Sequence, residues 1–258
     1  MKKIKNKVNV IRITNVIIYI SIVISMCSFI KYSNSDYERQ SSRSYENPDI
    51  TDTLPDSALI ELQASIDLVK AAPNETNYIN LSLLYYKNGK YKECIEASNK
   101  AIEYNSSSYI AYNNLCSAYN KLGWWDEAIV AGKKALELKP GYIVATNNLN
   151  LSIDGKAKQD KYLFETKSLL LTHPGETNYM NLAYVYYTAR KYEMAIMYYQ
   201  KALTYNSKNS IAYNNICSAY NELGKWKEAS ENCMKALEID SAFVLAKNNL
   251  KFAQSKLK

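Results

Sequence analysis

The sequence predicts an all-α solenoid, a fold in which helical hairpins stack side by side. Three observations predict it: side chains recur with a period of 34 residues, a longer segment repeats at an offset of 101 residues, and turn-forming residues are scarce. The 258 residues include 7 glycines and 5 prolines, far below the usual shares of about 7% and 5%. This scarcity argues against a β fold, which needs many turns.

The first 31 residues predict a membrane-targeting segment. Residues 13–30 carry no charge, five basic residues precede them and Lys31 follows. These 18 residues would form about 27 Å of helix, close to the ~30 Å hydrocarbon core of a bilayer. We therefore expect residues 1–31 to be a signal anchor or a signal peptide, with the folded part on the non-cytoplasmic side, periplasmic or extracellular.

Cys27 supports a second interpretation of this segment. The run Ile24, Ser25, Met26, Cys27 resembles a bacterial lipobox, whose cysteine becomes acylated, so Cys27 is a candidate lipidation site. Simple cleavage and release is a third possible outcome. Residues 32–55 are rich in Ser and Asn and have no apolar period, so they predict a flexible tether to a folded array over residues 56–258.

The array is built from a duplicated repeat. Residues 110–123 and 211–224 are identical at 12 of 14 positions, so the two halves arose by duplication. Within each half, side chains such as Tyr78, Leu81 and Tyr85 share one stripe of a helix, which must be buried. Glycine or Arg190 follows as the turn residue. The second helices carry small residues that allow close packing, namely Cys94, Ala101, Ala128, Ala135, Ala195, Ala202, Ala229 and Ala236.

These spacings resemble the tetratricopeptide repeat, a helix-turn-helix unit of 34 residues. Residues 56–72 are interpreted as an entering helix. The matching units are 75–108, 109–142, 176–209 and 210–243, with 143–175 as a degenerate fifth unit and 244–258 as a capping helix. The resemblance implies a right-handed superhelix whose first helices line a concave groove. It also implies a non-enzymatic scaffold that binds a protein or an extended peptide in that groove.

An asparagine stands at the sixth position of every unit. An amide can bond a peptide backbone without reading side chains, so a row of amides suits an extended chain. A similar row in the repeat domain of the O-linked N-acetylglucosamine transferases contacts substrate backbone. The alternative is that these amides only bridge neighbouring helices. The predicted groove residues are Asn80, Asn114, Asn148, Asn181, Asn215, Asn249, Asn113, Asn120, Asn214, Asn221, Tyr86, Tyr184 and Tyr187.

Composition argues against other function classes. The net charge of +7 comes from the N-terminal segment, because 26 basic and 25 acidic residues follow residue 31, so no nucleic-acid partner is expected. The cysteines lack CxxC spacing and are interpreted as small buried residues, with a disulfide as the alternative if the folded part is exported. His173 is the only histidine, so we expect no metal, no cofactor, no small-molecule substrate and no catalysis.

The sequence leaves three functions open. The leading prediction is a scaffold that binds proteins or peptides through its groove at a membrane surface. The first alternative is an accessory or regulatory subunit that delivers substrate to a separate enzyme such as a transferase. The second is self-association through the groove.

Overall fold

The computed structural model of the protein describes residues 55–257. This range forms eleven helices and no strand, which confirms the predicted all-α solenoid. No helix within it combines the length and apolar character that a membrane crossing requires. The predictions for residues 1–31, for Cys27 and for nearly all of the tether lie outside the described residues. The helices are α1 (Asp56–Ala71), α2 (Glu75–Lys87), α3 (Tyr91–Tyr104), α4 (Tyr109–Leu122), α5 (Trp125–Leu138), α6 (Ile143–Thr172), α7 (Glu176–Thr188), α8 (Tyr192–Leu203), α9 (Ser210–Glu222), α10 (Trp226–Ile239) and α11 (Val244–Lys256).

Four hairpins form where the 34-residue period predicts them: α2 with α3, α4 with α5, α7 with α8, and α9 with α10. Each turn contains one residue with positive φ: Gly89 (73°), Gly123 (71°), Gly224 (71°) or Arg190 (57°). Glycine adopts this conformation without strain. For a side chain such as that of Arg190 it costs on the order of 1 kcal/mol. The predicted turns, including the one with arginine, are confirmed.

The helices of each hairpin approach closely because small residues lie between them. All eight small residues that the sequence marks on the second helices are completely buried. A Cβ methyl group or a thiol leaves room for the facing aromatic and aliphatic side chains of the first helix. Leu115 and Tyr119 pack in this way around Ala128 and Cys94.

Residues 143–172 form one continuous helix, α6, of 30 residues. The segment predicted as a degenerate fifth unit, 143–175, is therefore not a helical hairpin. The turn position of that segment holds Ala157, and the position two residues later holds Gln159 where the other units have Tyr or Trp. The turn position has neither a glycine nor an arginine held by its own contacts, and no aromatic residue packs after it, so the helix continues.

The long helix reveals a different organisation of the array. Residues 143–155 lie 101 positions before α11 (244–256), and residues 157–172 lie 101 positions after α1 (56–71). Helix α6 is thus the closing helix of one module and the entering helix of the next. We call residues 56–156 module 1 and residues 157–257 module 2. Each consists of an entering helix, two hairpins and a closing helix.

The junction within α6 is fixed by Trp125. A Cβ placed on Gly155 would lie 2.5 Å from the Trp125 ring, so only glycine lets the indole rest on the α6 backbone. One residue later, Lys156 Nζ lies 3.0 Å from Asp126 Oδ2, which joins the same two helices by an ion pair. The second hairpin of module 1 therefore holds α6 at the point where module 2 begins.

Module 2 is inverted relative to module 1. Successive helices joined by short turns run in opposite directions, and a single helix in place of a hairpin reverses the directions of all helices after it. The hairpin turns of the two modules consequently meet. Lys92 Nζ lies 3.3 Å from Glu222 Oε1. Arg190 forms an ion pair with Glu127, and its guanidinium lies 4.1 Å from the centre of a Trp124 ring.

Candidate functional site

In module 1 the asparagines at the sixth position join the first helices of the two hairpins, α2 and α4, and the closing helix α6. These three helices, and their counterparts in module 2, are called first helices below. Asn114 Nδ2 donates to Ser82 Oγ at 2.8 Å, which joins α4 to α2. Asn148 Nδ2 donates to Asn113 Oδ1 and to Ser117 Oγ, both at 2.9 Å, which joins α6 to α4. In each case the amide reaches back to the preceding first helix, which engages one N–H group of Asn114 and both N–H groups of Asn148 within the array.

Module 2 contains an equivalent hydrogen bond between helices. Asn249 Nδ2 donates to Asn214 Oδ1 at 3.0 Å, which joins α11 to α9. Asn214 Nδ2 in turn lies 3.4 Å from Asn215 Oδ1. Because module 2 is inverted, the six predicted amides form two sets of three rather than one row. Asn80, Asn114 and Asn148 belong to module 1, and Asn181, Asn215 and Asn249 belong to module 2.

The six amides differ in their exposure to solvent. Asn80 is exposed, whereas Asn114, Asn148 and Asn215 are half-buried. Asn181 and Asn249 are buried. A peptide backbone can be reached by Asn80 without any rearrangement of the array.

The other predicted groove amides lie in the packing between first helices. Asn113 and Asn214 are buried. Asn120 Nδ2 donates to the Asn148 carbonyl at 2.9 Å, and Asn221 Nδ2 donates to the Asn249 carbonyl at 3.1 Å. These four side chains stabilise the stacking of first helices within each module.

The predicted groove tyrosines are half-buried. The Tyr86 ring packs edge-on against Tyr91, with 5.5 Å between ring centres. The Tyr187 hydroxyl lies 3.0 Å from Ser218 Oγ, and burial raises the pKa of Tyr187 well above its ordinary value. Tyr184 also takes part in a side-chain interaction. Only part of each ring is therefore available to a ligand.

An accessible face lies on α2, the first helix of the first hairpin of module 1. It consists of Ile79, Asn80, Leu83, Tyr86 and Lys87, which share one side of α2, and we call it the α2 face. Leu83 is 42% exposed, and Asn80 and Lys87 are exposed as well. At the equivalent positions of module 2, Met180 and Asn181 are only 6% and 8% exposed. The duplicated face is thus covered in module 2 and open in module 1.

The cysteines correct one prediction. Cys217 and Cys233 form a disulfide between α9 and α10, so the interpretation of these two as reduced buried residues is wrong. Their separation of 16 residues carries no sequence signature, and the pairing depends on how the two helices pack. Cys94 and Cys116 are free and buried as predicted. Burial raises the pKa of the Cys94 thiol to about 11, so it stays protonated at neutral pH.

Module 1 fills the place of the disulfide with a hydrogen-bond network. Gly132 stands where module 2 has Cys233. Cys116 Sγ lies 3.6 Å from Ser152 Oγ, and that hydroxyl lies 2.7 Å from Asn120 Oδ1. Module 2 has Ala253 at the position of Ser152.

Asn221 of module 2 lacks the donor that Asn120 has in module 1. Its Oδ1 is a buried oxygen without a hydrogen-bond partner in the described range. Ala253 explains this, because the equivalent residue of module 1, Ser152, provides the hydroxyl group next to Asn120 Oδ1. The two modules thus stabilise the same core position by different means.

Replacing Ser152 with alanine should therefore lower the free energy of unfolding by about 1–2 kcal/mol, because Asn120 Oδ1 would lose its buried donor. Urea unfolding followed by circular dichroism measures the change. The matched control is Ala253→Ser, which supplies a donor to Asn221 and should gain up to about 1 kcal/mol. An unchanged midpoint for Ser152→Ala would show that this hydrogen bond does not stabilise module 1.

No group of three His, Cys, Asp or Glu side chains that could hold a metal ion occurs among residues 55–257. The accessible chemistry of the array is that of amides, apolar side chains and lysines on helix surfaces. Such groups bind by hydrogen bonds and by burial of apolar area.

Comparison with known proteins identifies the repeat. The tetratricopeptide repeat family model matches residues 76–108, 109–142, 177–209 and 211–243, just over half of the chain. A search of the curated proteins finds no match. Among solved structures, a thermophilic tetratricopeptide repeat protein of Thermus thermophilus is 20% identical with a TM-score of 0.37, covering 70% of this chain and 99% of that one.

Two further structures are similar. YrrB, described as a tetratricopeptide repeat protein with an unusual peptide-binding site, is 17% identical with a TM-score of 0.36, covering 74% of this chain and 99% of its own. The TPR2AB domain of yeast Sti1, in complex with pHSP90, is 19% identical with a TM-score of 0.37, covering 90% of this chain and 84% of its own.

Proposed function

This chain belongs to the tetratricopeptide repeat family, and from that premise we propose that it is a scaffold that binds another protein or an extended peptide through the α2 face. Members of this family are typically non-enzymatic scaffolds. The observation that carries the proposal is the exposure of Asn80, whose counterparts in the other first helices are buried or hydrogen-bonded, beside the exposed side chain of Leu83.

The chemistry of the α2 face fits an extended peptide. Ile79, Leu83 and part of the Tyr86 ring offer apolar surface, and Asn80 offers an amide that can bond a peptide group. Lys87 lies at the end of the face and can pair with a carboxylate of the ligand. The expected ligand is therefore a short extended segment with apolar side chains and an acidic residue.

The test uses the full chain and a displayed library of short peptides. Selected peptides should bind the double variant Asn80→Ala, Leu83→Ala at least tenfold more weakly, since it removes the amide and the most exposed apolar contact. Thermal unfolding should stay near that of the wild type, because both side chains are exposed. The change in Kd is measured by fluorescence anisotropy.

The matched control is Asn181→Ala, the equivalent substitution at the buried position of module 2. It should leave peptide affinity unchanged and lower the unfolding midpoint. Equal peptide affinity of the wild type and of the α2-face variant would contradict the proposal. Loss of affinity together with loss of the fold would assign Asn80 to the structure instead.

We also propose that the scaffold works at a membrane surface, with its folded part on the non-cytoplasmic side. Two observations support this location: the basic residues ahead of the uncharged run 13–30, and the Cys217–Cys233 disulfide, a bond that persists in oxidising compartments. Mass spectrometry of the N-terminal peptide tests the mode of anchoring. It distinguishes intact Met1, a cut end and acylated Cys27. Delivery of substrate to a separate enzyme stays a prediction, since no described residue favours it.

A further inference from the structure

The duplication allows the outer surfaces of the two modules to be compared position by position. In module 1 the outer side of α1 carries Gln63 and Lys70, which both hydrogen-bond the Asp67 carboxylate, at 3.0 and 3.3 Å. In module 2 the corresponding residues of α6 are Phe164 and Leu171, with Ser168 between them. Phe164 is 72% exposed and Leu171 is 86% exposed. Two polar positions of α1 are thus apolar at their counterparts on α6, although α1 itself exposes Ile60 and Leu68.

The neighbouring helix shows the same contrast. The outer side of α3 in module 1 carries Glu93 and Glu96, whereas the equivalent positions of α8 in module 2 are Met194 and Met197. Both methionines are exposed, as is Tyr205 just after α8. Four positions that are polar or charged in module 1 are therefore apolar at the equivalent positions of module 2.

These residues form one continuous surface. Lys167 lies one turn from both Phe164 and Leu171, and its Nζ is 5.5 Å from the centre of the Tyr186 ring. That ring stacks on Tyr198, which follows Met197, with 5.3 Å between ring centres. Tyr186 lies on α7, so this helix connects the side chains of α6 with those of α8 beneath the exposed residues. We call Phe164, Leu171, Met194, Met197 and Tyr205 the outer apolar face.

We propose that the outer apolar face is a self-association surface, through which two copies of this chain form a two-fold symmetric dimer. Its five side chains expose on the order of 500 Å² together, since they are 36% to 86% exposed and a fully exposed large side chain presents roughly 200 Å². Two copies would bury about 1,000 Å², the lower limit of a specific interface. A patch of this size equals the largest apolar patch of a typical soluble monomer, and such patches are often functional.

The charges around the face fit a second copy. Lys167 lies on α6 between Phe164 and Leu171, and Lys201 lies on α8 one turn after Met197. Glu165 and Glu193 lie on the same two helices. A two-fold axis places each surface against itself, so a rim with both signs can set lysine against glutamate. A rim of one sign would oppose such pairing, and this rim has both.

The test replaces the face with the residues of module 1. The quadruple variant Phe164→Gln, Leu171→Lys, Met194→Glu, Met197→Glu carries side chains that the same frame already supports in module 1. Sedimentation velocity of the detergent-solubilised full chain should show a wild-type dimer. The variant should have a dimer dissociation constant at least 100-fold higher, with unchanged circular dichroism.

Two controls accompany this variant. The triple variant Gln63→Ala, Lys70→Ala, Glu96→Ala alters the equivalent surface of module 1 and should leave the dimer intact. The α2-face variant Asn80→Ala, Leu83→Ala should also leave it intact, which separates this dimer from peptide binding. A wild-type chain that stays monomeric overturns the proposal. A quadruple variant that stays dimeric also overturns it. If that variant keeps its oligomeric state but loses binding of another protein or of a lipid vesicle, the face binds that partner and the proposal is overturned as well.

Discussion

Replacing Gln159 with proline should lower the free energy of unfolding by about 3 kcal/mol or more, because residue 159 lies inside the continuous helix α6. Proline removes one backbone hydrogen bond there, and its ring clashes with the carbonyl four residues earlier. The loss falls at the junction of the two modules. We therefore expect urea unfolding by circular dichroism to separate into two transitions, one for each module.

The position distinguishes a continuous helix from a hairpin. In the four hairpins the equivalent residues, Tyr91, Trp125, Tyr192 and Trp226, are the first residues of their second helices. Proline is well tolerated at the first position of a helix. A hairpin at 143–175 would accept Gln159→Pro with little change in stability, and such a result would contradict the continuity of α6. Gln159→Ala is the matched control and should change stability by less than about 0.5 kcal/mol.

The second large effect is expected at the disulfide of module 2. Replacing Cys233 with serine should lower the free energy of unfolding by about 3 kcal/mol, the value for a closed loop of about 15 residues. The bond joins α9 and α10 across the last hairpin, so its loss should act mainly on module 2. Urea unfolding of oxidised and reduced protein measures the effect.

Reduction provides the control for this prediction. A reductant should destabilise the wild type by about the same amount as Cys233→Ser, and it should have no further effect on the variant. Alkylation under denaturing conditions should detect two more thiols after reduction than before. Equal stability of the oxidised and reduced wild type would contradict the stabilising role of the disulfide.

The sequence could predict the hairpins because their determinants are local. The stripe of Tyr78, Leu81 and Tyr85, the turn at Gly89 and the small residues of the second helix recur within each 34-residue unit, and each acts on its own neighbours. Even Arg190, a poor residue for positive φ, is placed correctly by the pattern around it.

The long helix escapes the sequence prediction because the period of 34 does not hold in that segment. The longer repeat carries the relevant signal, since residues 143–155 resemble 244–256 and residues 157–172 correspond to 56–71. The inversion of module 2 follows only from the continuity of α6. The ion pairs Lys92–Glu222 and Arg190–Glu127 join residues far apart in sequence, so no local sequence pattern predicts them.

The candidate site was predictable in residue type but not in role. The sixth-position asparagines are identified by their recurrence, yet whether an amide faces a ligand or a neighbouring helix depends on what packs beside it. Asn148 has α4 beside it and bonds Asn113 and Ser117, whereas Asn80 is exposed. The disulfide likewise depends on the distance between two helices, which a spacing of 16 residues does not specify.

Hydrogen exchange at the junction tests the two-module organisation most directly. If α6 is continuous, the backbone amides of residues 156–160 exchange slowly, as amides within a helix do. The turns around Gly89 and Gly123 provide fast-exchanging references in the same molecule. Exchange at 156–160 as fast as at those turns would place a hairpin there and contradict the two-module organisation.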